Sequence, residues 1–213
     1  LLCMYLHLSA HYTGFSLDLL DYSVAFELFL YNEVAVVALP ESVLSSAAKR
    51  AEQNGREGCL ISLDAPSYIP FMQCAEQREL RETMYRAYVT RASSGELDNS
   101  LVIDEILSLR AEAASLLGFE HYAASSLASK MAANVDEVTG FLRELAAKSK
   151  AVAEQEFAEL QAFAADELGI ADMQAWDVPF ASERLRLKTY AISQEELKPY
   201  FPEKSVISGM FGL

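Results

Sequence analysis

The chain has 213 residues, 52% of them hydrophobic and 23% charged, which excludes a disordered tail and leaves ample apolar material for a buried core. Seventeen Lys and Arg against thirty-one Asp and Glu give a formal net charge of −14, a balance that repels phosphate backbones and anionic lipid and excludes nucleic acid as an expected partner. The three cysteines, Cys3, Cys59 and Cys74, lie far apart with no C-x-x-C, so neither a disulfide framework nor a zinc ribbon is expected, and a reducing compartment fits best.

The first stretch, Leu1 to Leu17, carries no formal charge, but His7, Ser9, His11, Thr13, Gly14 and Ser16 interrupt it, so it is not read as a membrane span. It also lacks the basic start and small-residue cleavage site of a secretory signal. The chain opens at Leu1 without an initiator Met and closes on the apolar Met210-Phe211-Gly212-Leu213 without a settled helix stop, so both ends are expected to be cut.

Beyond that stretch, apolar residues recur three and four apart along most of the chain, which predicts helices. Leu39-Pro40-Glu41-Ser42 opens one that runs through Val43, Leu44, Ala47, Ala48 and Ala51 to a stop at Gly55. Cys59 to Leu63, between Gly58 and the turn Asp64-Ala65-Pro66-Ser67, is the one predicted strand; a helix follows from Tyr68 with Pro70 in its first turn. Gln77 to Arg91 is predicted amphipathic, with Leu80, Met84, Tyr85 and Tyr88 on one face and Arg78, Glu79, Arg81, Glu82 and Arg86 mostly on the other. A loop at Ser93 to Ser100 leads to a helix ended by Gly118, then a short helix from about Glu120 to Met131. Asn134 and Glu137 form a capping-box-like start to the longest periodic segment, which Gly169 stops. Asp177 is expected to cap a helix carrying Pro179 in its first turn, Ser193 and Glu196 repeat the capping pattern, and a last helix lies near Ser205. No fixed period of about 34 to 47 residues recurs, so the expected fold is mostly α, a non-repeat multi-helix fold with one short β element.

Few residues point to chemistry. His7 and His11, four apart, have zinc-ligand spacing on a helix, but Leu8 stands where a metallopeptidase motif places its glutamate, so an ordinary helix is the better reading. His121 reads as a packed or capping histidine. Glu154, Glu156, Glu159, Asp166 and Glu167 fall on polar helix faces, and Cys59 and Cys74 read as small apolar residues. There is no G-x-S-x-G, phosphate loop or dinucleotide fingerprint, and on these residues alone the function stays open.

Longer stretches carry more. Leu63-Asp64-Ala65-Pro66-Ser67-Tyr68-Ile69-Pro70-Phe71-Met72 is followed in order by Arg81 to Tyr88, Arg91-Ala92-Ser93 and Asp98-Asn99-Ser100. Leu116 to Ala123, Ser126 to Ala132, Trp176-Asp177, Ser182-Glu183 and Pro199-Tyr200-Phe201-Pro202 complete the series. Together they resemble the middle region of the thimet oligopeptidase and oligopeptidase A family of zinc metallopeptidases, over about four-fifths of the chain. On that resemblance, residues 1–38 are a divergent N-terminal segment, and 39–213 are a helical region truncated at both ends.

The resemblance implies part of a mostly helical, two-lobed peptidase whose channel admits short unfolded peptides. Zinc there is held by two histidines of H-E-x-x-H and a later glutamate, with the motif glutamate as general base. That motif is absent from this sequence. The expectation is therefore no catalytic, cofactor-binding or metal-binding residue within this chain, zinc bound by residues outside it, and a fragment inactive alone that forms channel wall and hinge. In that wall Trp176 and Asp177 read as packing anchor and helix cap. Short peptides are the implied partners, with no nucleic acid and no membrane; the sequence leaves the oligomeric state open, a monomer being the expectation. The Ala92 to Asn99 segment resembles plant organellar and cyanobacterial members, which implies a cytoplasmic or organellar location, chloroplast or mitochondrion. Two alternatives stay open: a non-catalytic helical module that binds peptides or other partners, and a degenerate peptidase without its zinc site.

Overall fold

The structure is a computed structural model and describes residues 2–31, 38–191 and 197–212. In chain order it runs α1 (Leu2–Ala25), β1 (Leu28–Leu30), α2 (Glu41–Gln53), β2 (Cys59–Ile61), α3 (Ala65–Cys74) and α4 (Arg78–Val89). A 3-10 turn (Gly95–Leu97) precedes α5 (Ser100–Leu116), α6 (Tyr122–Leu127), α7 (Val135–Leu168) and α8 (Val178–Tyr190); a second turn (Lys198–Tyr200) precedes α9 (Glu203–Phe211). The mostly helical, non-repeat expectation holds. The chain forms two compact units, the first of Leu1–Phe26 with Arg86–Phe157 and the second of Glu27–Tyr85 with Ala158–Leu213.

In the first unit α1 packs on α5. Leu8, Ile106 and Ala114 are buried. Polar tethers fix the register of the two helices: the buried Asn99 side-chain amide donates to the Phe15 carbonyl at 3.1 Å, and the Arg110 guanidinium lies 5.1 Å from the Tyr12 ring and 5.0 Å from that of Tyr122. Asn134 and Glu137 start α7 as expected. The Glu137 amide, one of the orphan donors of this helix end, donates to the Asn134 side chain at 2.8 Å, and the Glu137 carboxylate reaches back to accept from the Ala133 amide at 2.6 Å, just ahead of the helix.

The second unit contains a strand pair. β1 runs antiparallel to β2 with Leu28 opposite Ile61, Phe29 opposite Leu60 and Leu30 opposite Cys59. The sequence reading has only the second strand: β1 is three residues long, too short to show alternation, and its identity depends on a partner 31 residues away. α2 lays Val43, Ala47 and Ala51, one face at four-residue spacing, against β2. At the strand entry Gly58 has φ of +110°, and a Cβ there would sit 2.9 Å from the Leu30 carbonyl oxygen. Gly58→Ala should therefore lose about 1–3 kcal/mol in urea unfolding, through strain at a positive φ and a pried-apart hairpin.

Two helix readings need correction. α3 begins at Ala65, not Tyr68, so Pro66 occupies the first turn and Pro70 lies inside the helix. Asp64 ends the extended segment, accepts from the Ser62 and Ser67 hydroxyls and faces Arg50 at 3.4 Å, which settles the chain into helix three residues early. In α4, Arg81 is not on the solvent face; it is 1% exposed, beside the fully buried Met84. The capping pair expected at Ser193 and Glu196 lies outside the described residues.

Candidate functional site: a buried Arg–Asp–Arg cluster

In the second unit, α4 and the start of α8 bring three charged side chains together across 96 to 99 residues of sequence. Asp177 is fully buried, immediately before α8. Its carboxylate accepts from Arg78 Nε at 3.0 and 3.1 Å, Arg78 Nη2 at 2.7 Å, Arg81 Nη2 at 2.7 Å and the Gln174 amide at 3.0 Å. Burial pushes this carboxyl's pKa up, but the hydrogen bonds from Arg78, Gln174 and Arg81, with the Arg78 charge, outweigh it and hold the group below the ordinary carboxylate range. Asp177 is therefore an ionised acceptor at neutral pH and not a proton donor.

Arg81 is the cluster's inner cation. Its Nη1 donates to the carbonyls of Ala75 at 2.8 Å and Glu76 at 3.0 Å, which ties down the end of α3 and the turn into α4. The guanidinium lies 4.2 Å over the Phe180 ring, so the buried Nε, without a hydrogen-bond partner among the described residues, belongs to a cation lying over an aromatic ring. Arg78 is the outer cation, partly exposed, and also donates to the Asp172 carbonyl at 2.6 Å.

Asp177 does not cap α8 as expected. Its side chain makes no bond to the first amides of α8 and turns back to Gln174 and the two arginines. Trp176 has the anchoring place expected of it: its ring lies 6.1 Å from that of Tyr85, inclined at 58°. A cavity of about 500 Å³ opens beside the cluster, lined by Glu76, Arg78, Arg81, Glu167, Phe180 and Arg184 among others. Its outer charges are matched, Arg184 with Glu76 at 3.1 Å and Glu167 with Lys188 at 2.7 Å. A second cavity, about 520 Å³ and confined to the first unit, is lined by Phe119, His121, Leu127, Asn134 and Asp136 among others.

His121 Nδ1 accepts from the Ala124 amide at 3.0 Å and caps α6, one of the two roles expected of it. His7 and His11 do share a face of α1, with ring centroids 5.3 Å apart, and His11 Nδ1 lies 3.2 Å from the Glu105 carboxylate. Among the described residues no group of three or more His, Cys, Asp or Glu is placed to hold a metal ion. Cys3 is exposed and Cys59 and Cys74 are half-buried; burial raises the Cys59 thiol pKa, away from thiolate chemistry. No helix among the described residues is long and apolar enough to cross a membrane.

The cluster can therefore brace the helices that it joins. The sequence reading missed it, although a signal was present: Arg81 lies three residues before Met84 and seven before Tyr88, on the apolar stripe of its helix, and a buried arginine requires a buried acid.

The family model for peptidase family M3 matches residues 71–213. Oligopeptidase A of Haemophilus influenzae is 47% identical over 204 residues, covering 93% of this chain and 30% of that protein. Oligopeptidase A of Escherichia coli is 45% identical over 92% of this chain and 30% of its own length. The organellar, chloroplastic/mitochondrial oligopeptidase A of Arabidopsis thaliana is 44% identical over 93% of this chain and 26% of its own. The chain thus spans about 30% or less of the length of these relatives.

Proposed function

The chain belongs to peptidase family M3, and from that premise we propose that it is the wall and hinge portion of a zinc-dependent metalloendopeptidase that hydrolyses short unfolded peptides. The family match over residues 71–213 carries the reading. The zinc ion, its three protein ligands and the general base belong to the polypeptide outside this chain. Zinc there would supply a water of lowered pKa, and this chain's residues would shape and brace the cavity in which the peptide lies. The Asp177 cluster is suited to bracing, because its hydrogen bonds join the end of α3, the start of α4 and the start of α8 in one rigid knot. On this reading residues 1–38 are a divergent N-terminal segment and 39–213 the helical region that resembles the middle of the family. A cytoplasmic or organellar location is supported by the relatives' names.

The test pairs two proteins. This chain, supplied with zinc, should not cleave an internally quenched peptide of about ten residues. A chimera in which it replaces the matched segment of the Escherichia coli relative should cleave that peptide, with loss of turnover on chelation. Chelator-sensitive turnover by the chain alone, or an inactive but folded chimera beside an active parent, would overturn the reading.

A further inference from the structure

In the first unit, α7 presents Val138, Phe141, Leu145 and Val152 at intervals of three, four and seven residues, the seam spacing of a helix that packs along another helix. Phe141, Leu142, Leu145 and Val152 are 63%, 55%, 51% and 57% exposed. The occupant is not a buried core of this chain. These side chains offer roughly 400 Å² of apolar surface, about half of what each side of a stable protein dimer buries, so a second copy seated on the stripe alone falls short. A second copy seated on the stripe also leaves another face of this unit wet: Leu101, Leu107 and Leu116 on α5 are each about half exposed or more. Apolar faces on two separate helices of this unit call for a larger covering than one stripe supplies, and the relatives carry about 70% of their length outside the matched segment.

We propose that the α7 stripe from Val138 to Val152 is the docking seam for a helix from the part of the family M3 polypeptide that this chain does not contain. The proposal rests on the reading of the chain as one portion of a longer peptidase. Between Val138 and Val152 the charged residues are Arg143, Lys148 and Lys150 against Glu144, so the partner's apolar ridge is expected to be bordered by acidic residues, and association weakens as salt rises.

The experiment co-expresses this chain with Escherichia coli oligopeptidase A from which the matched segment is deleted. The expected result is a one-to-one complex by size exclusion with light scattering. Phe141→Glu with Leu145→Glu should weaken capture at least tenfold at unchanged helicity by circular dichroism. Ala147→Glu with Ala151→Glu, the same charge change on the opposite side of α7, should leave capture intact. Equal loss in both pairs, no complex with the wild-type chain, or a stripe-dependent homodimer that ignores the partner would each overturn the proposal. Peptide cleavage separates the two readings: a stripe-dependent complex without turnover sinks the peptidase reading and leaves the seam standing, whereas an active chimera indifferent to the stripe pair does the reverse.

Discussion

Asp177→Asn should lower the stability of the second unit by about 3–5 kcal/mol, the loss expected when one partner of a buried charge pair is removed and the other is left behind. Arg78 is partly exposed and can turn to water, but Arg81 is 1% exposed and cannot. Its cation would keep the carbonyls of Ala75 and Glu76 and the Phe180 ring, none of which carries a compensating charge. The chain's only tryptophan, Trp176, is the adjacent residue, so urea unfolding followed by its fluorescence reads the site directly. The pH dependence has a definite sign. A carboxyl held low in the folded state contributes stability above its unfolded pKa of about 3.9, and that contribution is lost as pH falls through the lower folded value. The wild-type midpoint should fall in acid more steeply than that of the Asn variant. Replacing Arg81 by Met in the Asn background should recover part of the loss, because an apolar side chain suits the site once its acid is gone. If D177N unfolds within about 0.5 kcal/mol of wild type, the cluster is not the brace proposed for it.

Phe71→Ala is the second large effect, about 3–5 kcal/mol, from lost transfer energy plus the cavity left where the ring was. Phe71 is completely buried on α3, next to Met72 at 1% exposed, on a helix that packs against both α2 and α8. Phe71→Leu, which keeps most of the volume, should cost no more than about 1.5 kcal/mol and keeps the comparison measurable where the alanine variant unfolds. Ile69, on the same helix but 52% exposed, is the internal control: Ile69→Ala should stay within about 1 kcal/mol. Similar midpoints for the Phe71 and Ile69 alanine variants would show that burial of α3 does not hold this unit together.

Local rules read the helices well because their signals are local. Asn134 with Glu137, the glycine after α7 and the proline in the first turn of α8 each act within a turn or two of the chain, and each marks the boundary found. Apart from the early start of α3, where Asp64 bonds Ser62 and Ser67 close by, the misreadings involve partners far away in sequence. β1 is a strand only because Cys59–Ile61 pairs with it, and Arg81 is buried only because Asp177 waits 96 residues later. Asp177 in turn abandons the helix start that its residue type favours, since two guanidinium groups outbid a backbone amide. Within the candidate site, the sequence therefore exposes Trp176 and Asp177 as noteworthy but assigns the acid the wrong bond. The peptidase family was legible for another reason, the order of many short stretches, of which no single one is decisive.

Neither compact unit is a continuous stretch of chain. The boundary at 85 to 86 falls inside α4 and that at 157 to 158 inside α7. On a ribosome, α1 emerges ahead of α5 and must wait for it, because the Phe15 carbonyl receives Asn99 from 84 residues further along the chain. Arg78 and Arg81 likewise leave the exit tunnel long before the acid that neutralises them. Nascent chains arrested before residue 177 should therefore expose an unneutralised pair of cations and a loose α3–α4 corner, making that interval of synthesis the one most open to chaperones and proteases.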